Sequence, residues 1–262
     1  MTHRFEEPIL GEFSRMRAGL RPGDRAFVLS DGSAAAPASL DGFVQTFDTA
    51  HACSRAVRVL ETGILRNVHL AWLDFFDANP DFDAYWFIEY DVRYSGPWAQ
   101  LFDAFRDQPW DLLCTHLRRR SQEPHWYWWN EIHAPQGPVS PEQCLRGFLP
   151  VTRMSRRGME CLRDAVAQGW NGFLEGLIPT LLHLRGLRIA DVGGTGPFVP
   201  AGFRNRFYTS VDDPAGSLMD GGTVRYRPVM EEPRRLPGWA SWVLRGRLYH
   251  PVKPPDPPGA GA

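Results

Sequence analysis

Cysteine is scarce in this chain: Cys53, Cys114, Cys144 and Cys161 are the only four among 262 residues. Their spacings match neither a zinc pattern nor a compact disulfide framework. Reduced, mostly buried thiols in a cytoplasmic protein are therefore expected. Long apolar runs are missing too. No stretch approaches the ~20 apolar residues of a membrane span, and residues 1–7 lack the apolar centre of a signal peptide. Nor does one charge dominate. Lys and Arg total 29 against 30 Asp and Glu, a net charge of −1, which gives no steering toward nucleic acid. The short basic cluster Arg118-Arg119-Arg120 reads as a solvated loop face. No internal repeat is evident.

Tryptophan, by contrast, is abundant, with 10 residues. Three of them, Trp126, Trp128 and Trp129, surround Tyr127 in one short segment. Length and apolar content suit one α/β domain over residues 1–253, with the Pro- and Gly-rich residues 254–262 as a disordered tail. A helix or irregular lead-in occupies residues 1–24. Arg25–Ser30 reads as a short buried strand closed by the turn signal Asp31-Gly32-Ser33. Helical spacing of apolar residues over Ser54–Ala78 ends at Asn79-Pro80.

The run Ala84-Tyr85-Trp86-Phe87-Ile88 is continuously apolar, which argues for a strand covered on both faces, as in a parallel sheet. A helix over Trp98–Asp107 and a strand over Trp110–Thr115 follow, then a long polar and aromatic loop over residues 118–146. Phe148–Met154 reads as a strand, with Ser155 capping a helix that Gly169 closes. A helix over Phe173–Leu184, a strand over Leu187–Val192 and a further strand near Thr223–Arg227 complete the pattern. The alternation predicts an α/β fold whose sheet is mainly parallel, with flanking helices.

The apolar run leads directly into Glu89-Tyr90-Asp91. Side chains alternate along a strand, so Glu89 and Asp91 point to one side. Two ionised carboxylates beside an apolar run need a cation or donors to offset their burial. Ligands of open α/β sheets bind at the carboxyl ends of the strands, and a hard divalent cation bridging phosphate oxygens explains both charges. The alternative is that the pair caps a turn or pairs with Arg93.

The segment Tyr85-Trp86-Phe87-Ile88-Glu89-Tyr90-Asp91-Val92 resembles the acidic metal and nucleotide motif of glycosyltransferases with the A-type, nucleotide-diphospho-sugar transferase fold. The continuation Arg93-Tyr94-Ser95-Gly96-Pro97-Trp98 and the segment Leu112–Leu117 resemble a bacterial and fungal group assigned to that fold. The resemblance covers residues 25–250 in order of elements, and its specific part is 84–117. It implies that Asp91 and Glu89 hold Mn²⁺ or Mg²⁺ on the diphosphate of a nucleotide-sugar donor, with Arg93 beside them. It implies that Glu175, in Trp170-Asn171-Gly172-Phe173-Leu174-Glu175, engages the hydroxyl of a glycan or other acceptor, or acts as general base. A helix N-terminus favours the ionised form a base needs. It also implies that His250 completes the metal site. The family's first strand carries base-binding residues, and Phe27–Gly32 is the candidate here.

The aromatic segment Trp126, Tyr127, Trp128 and Trp129 is read as an acceptor-binding wall, with some rings packing the loop onto the domain. His116, His125 and His133 fit no standard zinc spacing. Asp191-Val192-Gly193-Gly194-Thr195-Gly196 lacks dinucleotide spacing and reads as a flexible loop near the site. The expected function is metal-assisted glycosyl transfer. The alternatives are a non-catalytic carbohydrate-binding protein on the same fold and a metal-dependent nucleotidyl or phosphoryl transferase.

Overall fold

A computed structural model describes residues 1–60, 64–219, 221–225 and 246–252. The expected strand near Thr223–Arg227 falls partly outside these residues, and the tail at 254–262 wholly so. Helix α1 (Glu7–Ala18) carries Pro8 in its first turn, where no N–H is needed. Strands β1 (Val28–Ser30) and β2 (Val44–Thr46) pair in parallel. Helix α2 (Thr49–Ser54) is capped by Asp48, which accepts from the His51 N–H. Helix α3 (Val68–Ala78) begins only after Asn67. The Asn67 amide is turned instead to both backbone groups of Leu60. That local bonding breaks the long helix expected over 54–78.

Four strands form the central sheet, in the order β3 (Ala84–Ile88), β7 (Leu145–Ser155), β5 (Leu112–Arg119) and β9 (Ile189–Asp191). β5 and β9 are parallel, whereas β7 runs antiparallel to both β3 and β5. The sheet is therefore mixed, and the mainly parallel sheet expected from the sequence is corrected. Helix α4 (Trp98–Phe105) returns the chain from β3 to β5. The long 120–144 connection after β5 forms no such crossover helix, so β7 enters at the end where β5 finished. β7 is buried from Leu145 through Met154, so its burial alone does not reveal its direction. That burial comes from helices on both faces, not from strand direction.

Alternate residues of β3 serve two cores. Tyr85 and Phe87 join α3, α5 (Arg156–Ala167) and α6 (Leu174–Leu184) on one face. Trp86 and Ile88 pack toward α4 on the other. Ser155 caps α5 by accepting from the Gly158 N–H at 3.0 Å, as expected. Shorter pairs complete the fold: β4 (Arg93–Tyr94) with β12 (Leu248–Tyr249), β6 (Ile132–His133) with β8 (Asn171–Gly172), and β10 (Val211–Asp212) with β11 (Leu218–Met219). Among the described residues, no helix is long and apolar enough to cross a membrane.

Candidate metal centre

Strand β3 ends where Glu89 makes one more bond to β7, its N–H to the Pro150 carbonyl at 2.9 Å. The chain then turns, with Val92 N–H on the Glu89 carbonyl at 3.1 Å. β12 pairs antiparallel with β4 in the register Leu248–Tyr94 and Tyr249–Arg93. That register carries His250 alongside Asp91, whose carbonyl accepts from the Val252 N–H at 2.7 Å. Glu89, Asp91 and His250 thereby bring one ligand atom each to within 4.8 Å of one another. His250 Nε2 lies 3.4 Å from Glu89 Oε2 and 3.6 Å from Asp91 Oδ1. Asp91 and His250 are buried and Glu89 is half exposed.

The donor set fits a divalent cation. An ion held at roughly 2.1 Å leaves adjacent ligands roughly 3–4 Å apart. The other His250 nitrogen, Nδ1, donates to the Arg225 carbonyl at 3.3 Å. That bond fixes the tautomer with the lone pair on Nε2, the arrangement typical of metal-bound histidine. The edge of the Phe148 ring packs on the imidazole, with centroids 5.1 Å apart.

Arg93 is buried, and its Nη1 donates to the Tyr90 and Val92 carbonyls at 2.7 and 2.8 Å. It braces the turn that presents Asp91. Glu12 of α1, which the sequence did not single out, supports the same turn. Its carboxylate accepts from the Tyr94 N–H at 3.1 Å and the Trp98 indole at 2.8 Å.

Glu175 sits in the first turn of α6 and is buried, and among the described residues its Oε2 has no hydrogen-bond partner. Burial pushes its carboxyl up from 4.5 to about 8. Arg146 opposes that rise, and Glu89 and Glu123 add to it. The helix-start effect expected to hold Glu175 ionised is thus outweighed by desolvation.

The aromatic segment divides. Trp126 and Trp129 are buried and pack edge-to-face at 4.9 Å. Trp126 also covers the Arg146 guanidinium at 4.9 Å, and a Cβ on Gly176 would come within 3.1 Å of it. These two rings hold the loop onto α6. Trp128 is half-buried, against Phe173 at 4.8 Å and the Arg66 guanidinium at 4.3 Å. Tyr127 is 80% exposed and edge-on to Trp128 at 4.8 Å.

Behind Glu175 lies a buried charged network that sequence reasoning missed. Arg146 Nη1 bonds Glu123 Oε1 at 2.8 Å, with both side chains 2% exposed. His116 Nε2 is 3.2 Å from the Gly216 carbonyl and 3.5 Å from Glu123 Oε2. Arg118 pairs with Asp212 at 2.8 Å. His116 occupies the left-handed region at φ 45°, where β5 departs from regular register. The available signal was the 118–146 loop itself, too long for a plain connection. His116, His125 and His133 do not gather around one point: the ligand cluster found among the described residues is Glu89, Asp91 and His250.

The Gly-rich turn after β9 is pinned. The Asp191 carboxylate accepts from the N–H groups of Leu117, Gly193 and Gly194 and from the Tyr208 hydroxyl, at 2.9–3.1 Å. No protein-family model matches this chain, and neither the curated proteins nor the solved structures contain a match.

Proposed function

We propose that the protein is a metal-assisted glycosyltransferase that moves a sugar from a nucleotide-sugar donor to a hydroxyl acceptor. The observation that carries this reading is the convergence of Glu89, Asp91 and His250 at the carboxyl end of β3. These residues would hold Mn²⁺ or Mg²⁺, and the ion would neutralise the charge growing on the departing diphosphate. The nucleoside half of the donor falls to the neighbouring strand ends. There His3 meets the Tyr90 ring edge-to-face at 5.2 Å, and Asp31 follows β1.

The acceptor oxygen attacks the anomeric carbon, the bond from that carbon to the diphosphate oxygen breaks, and Glu175, in its ionised form, takes the hydroxyl proton. A carboxyl with a pKa near working pH suits that exchange. Tyr127 offers the exposed ring face for an acceptor sugar. Incubation with nucleotide sugars and Mn²⁺ tests the reaction. Release of free nucleoside diphosphate with transfer of the sugar is the expected result, and release of pyrophosphate would make the chain a nucleotidyltransferase.

A further inference from the structure

Among the described residues five large apolar side chains are exposed, and three stand far above the rest. Val57 is 79% exposed, Leu65 80% and Tyr127 80%, against 46% for Val211 and 45% for Met219. Far apart in sequence, the three gather on the surface of the β6–β8 pair. Val57 lies at one end. A Cβ on Gly169, before β8, would stand 4.0 Å from Val57 Cγ2 and 3.7 Å from the Pro135 Cβ, after β6. Leu65 lies at the other end. Its neighbour Arg66 lays its guanidinium over the Trp128 ring at 4.3 Å. Trp128 in turn packs on Phe173, directly after β8, and on Tyr127, both at 4.8 Å. Gly169 and Phe173 are four residues apart, so these two ends lie within roughly 14 Å of each other.

The surface is mixed in character. Arg58, next to Val57, is exposed, and Glu131 pairs with His133 at 3.3 Å beside β6. Arg55 is engaged by Asp74 and Asp77 of α3. Apolar and polar groups thus surround one half-buried indole, an arrangement that suits a small amphipathic ligand. A specific protein interface buries about 1,200–2,000 Å², and three exposed side chains around one ring supply far less. The surface also adjoins the acceptor end of the site. Phe173 is the N-cap of α6, and Glu175 follows two residues later.

We propose that the acceptor is amphipathic, a sugar or alcohol headgroup carrying an alkyl chain, and that this surface is its chain-binding subsite. Tyr127 faces the headgroup. The chain runs from Leu65, beside Tyr127 and Trp128, across the β6–β8 pair to Val57. Each methylene that leaves water on this surface favours binding, and the exposed Leu65 and Val57 side chains are covered in the same step. The substrate role rests on the glycosyl-transfer reading, whereas the subsite itself does not.

Saturation-transfer NMR titrations with methyl, hexyl, heptyl and octyl β-glucoside, all below the micelle concentration, test the subsite on the full chain, in EDTA and without donor. From hexyl to octyl, affinity should rise roughly two- to fourfold per added methylene. Val57→Asp and Leu65→Asp, both at exposed positions, should remove most of that rise with the circular dichroism spectrum unchanged, and Leu65→Met should keep it. Equal affinity for the methyl and octyl compounds, or a rise that persists in both Asp variants, would overturn the proposal. Self-association that Leu65→Asp abolishes, without glucoside binding, would also overturn it, by giving the surface to a second copy. Transfer assays separate this result from the reaction. Chain-dependent binding without transfer from any nucleotide sugar overturns the acceptor role together with glycosyl transfer and leaves the subsite. Transfer to methyl and octyl glucoside with equal KM keeps the reaction and overturns the subsite.

Discussion

The imidazole Nε2 of His250 stands 3.6 Å from the Asp91 carboxylate, although the two residues are far apart in the sequence. The β4–β12 pairing makes this contact, and the Arg225 carbonyl on Nδ1 aims the ring. Strand pairing thus decides whether a late, isolated histidine joins an early acidic motif. Loosening that pair should dismantle the centre without touching a ligand. Val252→Pro removes the N–H that bonds the Asp91 carbonyl at 2.7 Å. Its Mn²⁺ affinity, measured by calorimetry, should fall by about tenfold or more, with the fold retained by circular dichroism.

Glu175 makes stability depend on pH in a definite direction. Burial raises its carboxyl from 4.5 to about 8. Between those values the folded chain keeps a proton that the unfolded chain releases, so this group's contribution falls as pH rises through the window. Below the unfolded value the contribution is complete. Glu175→Gln removes the titration. In EDTA, the variant's thermal midpoint should gain on the wild type steadily from pH 4.5 toward pH 8. A constant offset across that range would show that Glu175 is not buried as described.

Arg146 and Glu123 form a buried pair at 2.8 Å. Removing one partner leaves the other charge in the interior, which costs about 3–5 kcal/mol. Arg146→Met should therefore be strongly destabilising in urea unfolding. The double variant Arg146→Met with Glu123→Met should recover most of that loss, because no uncompensated charge remains of the pair. Additive losses would mean that the two residues act independently.

The aromatic loop makes opposite predictions for neighbouring rings. Trp126→Ala opens a hole over Gly176 and Arg146 and should cost about 3–5 kcal/mol. Tyr127→Ala, at an 80% exposed ring, should leave stability within about 0.5 kcal/mol. If Tyr127 contacts an acceptor, its loss appears as a higher KM for that acceptor and leaves Mn²⁺ binding unchanged. Urea melts and steady-state kinetics separate the two effects.

The helix–strand alternation was legible because its signals are local: apolar spacing in α4 and α6, the Ser155 cap, and the uniform apolar run of β3. The direction of β7 was not, since burial on both faces looks the same in either direction and the deciding connection is a long irregular loop. The α3 start was missed because the Asn67–Leu60 bonds span seven residues and oppose a periodicity that continues through them. At the site, strand alternation was the reason Glu89 and Asp91 were singled out, but β3 ends at Ile88 and the turn closed by Val92 N–H on the Glu89 carbonyl is what brings the two together. The Glu175 pKa was misjudged, because helix-end electrostatics can be read from sequence while burial in the folded chain cannot. His116, Glu123 and Arg146 escaped notice for the same reason: each is ordinary in sequence, and their network exists only after the 118–146 loop folds back on α6.

Calorimetric titration of Mn²⁺ into the protein tests the central claim most directly. Saturable binding at one site is expected for the wild type, tightened by added nucleoside diphosphate and lost in Asp91→Ala. Binding that survives unchanged in Asp91→Ala, with or without the nucleotide, would contradict a metal centre at Glu89, Asp91 and His250.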